Sequence, residues 1–183
     1  RAFKELYKSK RDLASISIGQ GQIRVTNLQM ALAYSSIANG GYLMKPKIIK
    51  RINDNNKSKE FNQPIILNQT MNFSTAQTLL AMLDKVVEDG TGKKAYIENI
   101  SLGGKTGTAE IFINDQAQYS STDFFSSFAS IFPIENPKYV MIISVEAPKY
   151  GSRWGGESAA LCTRNIIEHI MRYDKDLRKN KET

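Results

Sequence analysis

The sequence predicts an α+β fold in which an antiparallel sheet is covered by helices. Three observations carry this. Helical periodicity appears in three separated segments, three strand-like runs lie between the second and third of them, and a short Pro-bounded turn joins the last two runs.

The first helix opens on Thr26 and Gln29 in capping-box spacing, runs through Leu28, Met30, Ala31, Tyr34, Ile37 and Ala38, and stops at Gly40-Gly41. Its apolar residues go nearly all the way round, which implies burial. The second opens on Ser74 and Gln77 with the same spacing and places Ala76, Leu79, Leu80, Leu83, Val86 and Val87 on one stripe before Gly90. The third follows Gly155-Gly156, has Glu157 near its positive end, and carries Thr163, Ile166, Ile167 and Ile170 on one face. The strand runs cover about residues 101–113, 124–132 and 139–145. Residues 133–137 form a short turn, so the last two strands are expected to pair as a hairpin. The polar stretch 114–123 reads as a connection between the first two strands, and residues 53–59 read as a surface loop. Neither an internal repeat nor an interdomain linker is visible.

At 183 residues the chain fits one domain or a large piece of one. With 41% hydrophobic and 23% charged residues it is neither of disordered composition nor membrane-embedded. Its longest clean apolar run, residues 139–145, is far shorter than the ~20 residues of a spanning helix. It opens on Arg1 with no secretory signal pattern, which reads as a fragment of a longer polypeptide. The net charge of +7 raises nucleic acid as a partner, but the basic residues cluster only at the two ends and no nucleic-acid motif accompanies them. No nucleic-acid partner is therefore expected. Cys162, the only cysteine, permits no intrachain disulfide and reads as a small buried residue. One histidine and one cysteine make a typical zinc site a poor fit, so no metal and no cofactor are expected.

The chemistry concentrates in Gly103-Gly104-Lys105-Thr106-Gly107-Thr108-Ala109-Glu110. A lysine and two threonine hydroxyls suit a carboxylate, and Gly107 leaves the strand bare enough for a ligand backbone to lie beside it. Period-two alternation puts Thr106 and Thr108 on one face and Lys105 on the other, so the site wraps an edge or the strand twists. Alone, glycines in a strand read as a bulge or a bend.

The wider order of motifs narrows the choice. Ser17-Ile18-Gly19-Gln20-Gly21, then Val25-Thr26-Asn27-Leu28-Gln29 and Ala38-Asn39-Gly40-Gly41, precede Gly90-Thr91-Gly92 and the run Gly104 to Ala109. After them come Phe128 to Pro133, Asn136-Pro137, Glu146-Ala147-Pro148-Lys149, and Gly155-Gly156 with Ala159-Ala160. In this order the chain resembles the C-terminal part of the transpeptidase domain of class B penicillin-binding proteins, from about Ile16 to Ile170. The pattern at Glu146 to Lys149 and Gly155 to Ala160 resembles the division-type branch more than the elongation type.

The resemblance implies a penicillin-binding transpeptidase or serine β-lactamase-like fold. Residues 1–173 would be the C-terminal portion of the domain and 174–183 a basic tail expected to fray. It implies acyl transfer on D-Ala-D-Ala stem peptides, with stem peptide and β-lactam antibiotics as ligands and divisome proteins as partners. The location implied for the parent protein is the periplasmic or extracellular face of the bacterial inner membrane. Position by position, Lys105 would supply positive charge to the anionic substrate and to nearby ionisable groups. The hydroxyls of Thr106 and Thr108 would bind the ligand carboxylate beside Gly107, and the Thr108 backbone N–H would be one oxyanion-hole donor. The family also needs a nucleophilic S-x-x-K and an S-x-N. No lysine here has serine three residues earlier, and no asparagine has serine two earlier. Both motifs are expected ahead of Arg1, so this chain alone is expected to be inactive. A non-catalytic module that binds cell-wall peptide or β-lactam is the alternative, and a β-lactamase fits the class B features less well.

His169 is the only candidate for a Ser-His-Asp base but falls late in the third helix beside its apolar stripe, as a flank residue. Ser17, with no lysine at the fourth place, reads as a helix entry or close-packing element. Trp154 reads as packing beneath the site rather than as its rim.

Overall fold

The computed structural model describes residues 9–19, 23–54, 57–61, 63–113, 115, 118–148, 153–174 and 177. In chain order the elements are α1 (Lys10–Ser17), α2 (Asn27–Ala38), β1 (Tyr42–Met44), β2 (Arg51–Asp54), β3 (Lys57–Glu60) and β4 (Ile66–Gln69). There follow α3 (Phe73–Glu88), a 3-10 turn (Lys93–Ala95), β5 (Gly103–Ile113), β6 (Gln118–Phe132), β7 (Tyr139–Glu146) and α4 (Ala159–Tyr173).

The main sheet is antiparallel in the order β5-β6-β7, as the strand-turn pattern predicts. Alternation along β6 divides the core between its two faces. Phe128 and Phe132 point with Ala159, Ala160 and Ile167 into one cluster under α4. Ile131 points the other way, to Leu80 and Leu83 of α3 and to Tyr34 and Ile37 of α2. A residue-by-residue switch of face places helices on both sides of the sheet.

The cap of α2 forms as predicted: Thr26 accepts from the Gln29 N–H at 3.2 Å and the Gln29 side chain accepts from the Thr26 N–H at 2.8 Å. The all-round burial expected for α2 does not hold. Only Ser36 is fully buried and Leu28 is 55% exposed: the first turn, residues 27–29, is open, whereas most of residues 30–38 are half-buried against β1, α3, β6 and β7. In α3 the cap is Asn72, whose side chain accepts from the Thr75 N–H at 2.8 Å. Ser74, expected to be that cap, lies in the first turn and donates to Asn72. The apolar stripe itself is buried at Ala76, Leu80, Leu83 and Val87.

Further expectations change. Residues 51–60 contain an antiparallel pair, Arg51 to Asp54 against Lys57 to Glu60, in place of the expected loop. β6 starts at Gln118 rather than near 124, since Tyr119 and Gln118 pair with Phe112 and Ile113 beyond a register shift after Glu110. Its Ser- and Thr-rich start lacks the apolar alternation that marks a strand by eye. In α4, Ile166 is 41% exposed and Cys162 is exposed too, whereas Thr163 and Ile167 face the core. Asp174 accepts from Lys138 and Tyr139, and Leu177 is buried under α4. The remainder of 174–183 lies outside the described residues.

Candidate active site wall

β5 carries the Lys-Thr-Gly-Thr run along the outer edge of the sheet, since β6 is its only strand neighbour among the described residues. Lys105 pairs with Ala129, Thr106 with Phe128, Gly107 with Ser127 and Thr108 with Ser126. The glycines preceding the run let the strand approach its supports. A Cβ at Gly104 would collide with the Phe128 ring, and one at Gly103 would lie 3.1 Å from the α3 backbone at Leu83 and Asp84. These contacts clamp the start of β5 between the two halves of the core.

Thr106 and Thr108 share the face that meets the turn before α4. The Thr106 hydroxyl lies 2.7 Å from that of Thr91, and the Gly155 N–H donates to the Thr108 hydroxyl at 3.1 Å. That turn sits on the strand only because it is made of glycine. A Cβ at Gly155 would collide with the carbonyl oxygens of Gly107 and Ser127, and one at Gly156 with that of Thr91. Ser126 holds the preceding residue by donating to the Arg153 carbonyl, and Lys94 pairs with Glu157 just beyond. The motifs Gly90-Thr91-Gly92 and Gly155-Gly156, far apart in sequence, thus set the two threonines of β5.

Lys105 lies on the opposite face, as alternation requires, and is exposed. Its ammonium turns back along the strand to donate to the Thr106 carbonyl at 2.8 Å. On this face a Cβ at Gly107 would stand 2.5 Å from the Ser127 hydroxyl, which would have to turn aside to admit a side chain. The cation and the two hydroxyls therefore flank the open edge from its two sides.

Next to Thr108 a groove of about 620 Å³ opens, lined by Ser15, Glu110, Tyr119, Ser121, Phe124, Arg153 and Trp154. Trp154 is 54% exposed and forms the groove's rim, so the expected packing role beneath the site is corrected. Glu110, Arg153 and the early part of β6 were not singled out in the sequence; period-two spacing from Thr108 to Glu110 was the available signal.

The other candidates stay away from this wall. His169 lies on the exposed side of α4 against Tyr173, with ring centroids 5.2 Å apart. Ser17 ends α1 rather than starting a helix, its hydroxyl donating to the Ala14 carbonyl at 2.7 Å. Gly19, at φ +74°, makes the exit turn, with nothing within 4 Å of a Cβ, so no close packing explains it. Gln20 and Gly21 of that motif lie outside the described residues.

An edge strand with a cation on one face and two positioned hydroxyls on the other defines a wall suited to an extended ligand ending in a carboxylate. A family model described as the penicillin binding protein transpeptidase domain matches residues 3–168, and the chain belongs to that family. Among curated relatives, it is 31% identical over 175 residues to a peptidoglycan D,D-transpeptidase FtsI homolog of Mesostigma viride, covering 88% of this chain and 29% of that protein. It is 34% identical over 160 residues to stage V sporulation protein D of Bacillus subtilis, covering 86% of this chain and 24% of that one. Penicillin binding protein 3 of Mycobacterium tuberculosis, in its complex with aztreonam, superposes with a TM-score of 0.78 at 32% identity, over 87% of this chain and 37% of that one. The chain thus spans roughly a quarter to a third of the curated relatives' length. These names agree with the division-type branch favoured by the Glu146 and Gly155 motifs.

Proposed function

We propose that this chain forms one wall of the active site of a peptidoglycan D,D-transpeptidase, an acyl-transfer enzyme acting on D-Ala-D-Ala stem peptides. The observation that carries the proposal is the Lys-Thr-Gly-Thr run on the open edge of β5, with both threonine hydroxyls positioned by Thr91 and Gly155. The stem peptide lies extended along that edge, and Gly107 leaves room for its backbone. Its terminal carboxylate is held by Thr106 and Thr108, and Lys105 supplies the compensating charge. The Thr108 N–H stabilises the oxyanion that forms as a serine attacks the penultimate D-Ala carbonyl. That serine and its S-x-x-K lysine come from residues outside this sequence, which holds no such spacing. The terminal D-Ala leaves with a proton, and an amine of a second stem peptide takes the acyl group.

β-Lactams enter the same site, since their carboxylate and strained carbonyl present the same two groups. The Mycobacterium tuberculosis relative is described in complexes with aztreonam and with ampicillin. The location that suits this substrate is the outer face of the bacterial inner membrane, with divisome proteins as partners. No helix among the described residues is long and apolar enough to cross a membrane.

Labelled penicillin tests the proposal. The intact polypeptide that supplies the serine is expected to take up one label per molecule, and the 183-residue chain alone none. Stoichiometric labelling of the chain alone, or none of the intact polypeptide, would overturn it.

A further inference from the structure

The hairpin of β2 and β3 stands off the rest of the chain, and its two faces differ in chemistry. All residues of both strands are exposed, and the strands pack on each other rather than on a neighbouring element. At the base, the Phe61 N–H donates to the Lys50 carbonyl at 3.0 Å and the Lys47 ammonium donates to the Phe61 carbonyl at 3.0 Å. One face is satisfied from within: Arg51 pairs with Glu60, and the Ser58 hydroxyl donates to the Asn53 side chain at 3.0 Å. By strand alternation the other face carries Lys50, Ile52 and Asp54 opposite Phe61, Lys59 and Lys57. Toward the base each level thus sets a lysine across from an exposed apolar side chain, Lys50 from Phe61 and Lys59 from Ile52. The Lys59 ammonium also lies over the Phe61 ring, 5.2 Å from its centroid. Lys50, Lys57 and Lys59 form no ion pair among the described residues.

We propose that this face is a docking surface for a protein partner, which it holds by an acidic segment interleaved with apolar residues. Charge selects the partner. The face sets three lysines against the single acid Asp54, so it attracts carboxylates, and a second copy of the chain, bringing the same cations, is repelled from it. The apolar residues narrow the choice further. Ile52 and Phe61 alternate with the lysines across the two strands, and a polyanion without apolar groups would leave both in water. A lipid surface fits less well, because a hairpin entering the interface leads with apolar residues, whereas the sequence between the two strands' facing ends is Asp54-Asn55-Asn56-Lys57. Side chains on one face of a strand recur about every 7 Å, a spacing that an extended segment alternating acid and apolar residue matches position by position. A two-stranded hairpin with no core behind it is marginal in water, and a partner seated on this face supplies the burial that the fold does not.

Three probes test this on the intact polypeptide: a fluorescein-labelled peptide alternating glutamate and leucine, the same peptide with serine in place of leucine, and vesicles of phosphatidylglycerol. Fluorescence anisotropy reads the peptides and co-sedimentation reads the vesicles. The glutamate-leucine peptide is expected to bind, and the glutamate-serine peptide to bind about tenfold or more weakly. Lys57→Glu with Lys59→Glu should weaken the first peptide by about tenfold or more, and Ile52→Ser or Phe61→Ser by about three- to tenfold. Ser58→Ala, on the self-paired face, should leave binding within about twofold of the parent. Lys57→Gln with Lys59→Gln removes the charges without adding repulsion and should give an intermediate loss, and thermal melts of each variant show that the fold is retained. No binding of the glutamate-leucine peptide to the parent would overturn the proposal, as would equal binding of both peptides or equal weakening by Ser58→Ala. Vesicle binding that is tighter than peptide binding and is lost in the Lys57→Glu, Lys59→Glu variant would overturn it in favour of a lipid surface.

Discussion

At Thr108 one hydroxyl serves the fold and, on the proposed reading, the ligand. The Gly155 N–H donates to it at 3.1 Å, and its position faces the groove. Thr108→Val removes the hydroxyl and keeps the backbone N–H, so ligand capture should weaken by about tenfold, mainly in KM rather than kcat. Thr108→Ser restores the hydroxyl and should restore the KM, which separates loss of the contact from loss of shape. Asp84, beside Gly103, gives a pH-dependent prediction. Its carboxyl is pushed above the usual range first by burial and then by Glu88 and Glu135, against an opposing pull from Lys85. A raised folded pKa favours the folded state below the ordinary aspartate value and loses that contribution as the pH rises through the folded pKa. Asp84→Asn should therefore raise the melting temperature at pH 7, by a few degrees at most, with the gain vanishing as the pH falls below about 4. Thermal melts of both proteins across that range check it. Among single residues, the positions from Lys105 to Thr108 stand out in the sequence because cation, hydroxyls and glycine form one unbroken run, and the fold sets that run on the edge strand β5, where its ligand-binding role is the proposed one. Arg153 does not stand out, because the Phe124 ring and the rest of its groove come from β5 and β6, which only folding brings to it.

Elements whose chemistry is local were read more accurately than elements defined by their partners. The Thr26–Gln29 box caps α2 as its spacing requires, and the α3 stripe buries the residues its period selects. The same spacing misled at Ser74, because Asn72, an equally good cap residue two positions earlier, starts the helix at Phe73 and leaves Ser74 inside the first turn. Asn72→Ala should consequently cost about 1 kcal/mol of stability and Ser74→Ala much less, a contrast that chemical denaturation resolves. The start of β6 was missed because its hydrogen bonds to Phe112 and Ile113, and not its side-chain pattern, make it a strand. The turn at Gly155 and Gly156 was read as a motif, but its reason is tertiary: the backbone lies directly on Gly107, Ser127 and Thr91. Gly155→Ala should lift that turn, costing about 1–3 kcal/mol as an overpacked site and weakening Thr108's hold on ligand in parallel. Melting and penicillin acylation measured on one preparation would show whether both fall.

For the whole molecule, the α+β class and its antiparallel sheet followed from segment periods, whereas the distribution of burial did not. α2 is apolar all round yet leaves Leu28 open, and Ile48 is 95% exposed with Ile49, Ile65, Ile66 and Leu67 also exposed nearby. Apolar surface of this kind promotes association, so the 183-residue chain in dilute buffer should sediment as oligomers rather than as a monomer. The central claim concerns the edge of β5, and one comparison tests it most directly. In the intact polypeptide, the rate of penicillin acylation is measured for Lys105→Ala and for His169→Ala. Removing the cation should slow acylation by about 100-fold or more, as other electrostatic deletions in acyl-transfer sites do, and removing the histidine on the outer face of α4 should change it little. Normal acylation by Lys105→Ala together with failure of His169→Ala would contradict the account.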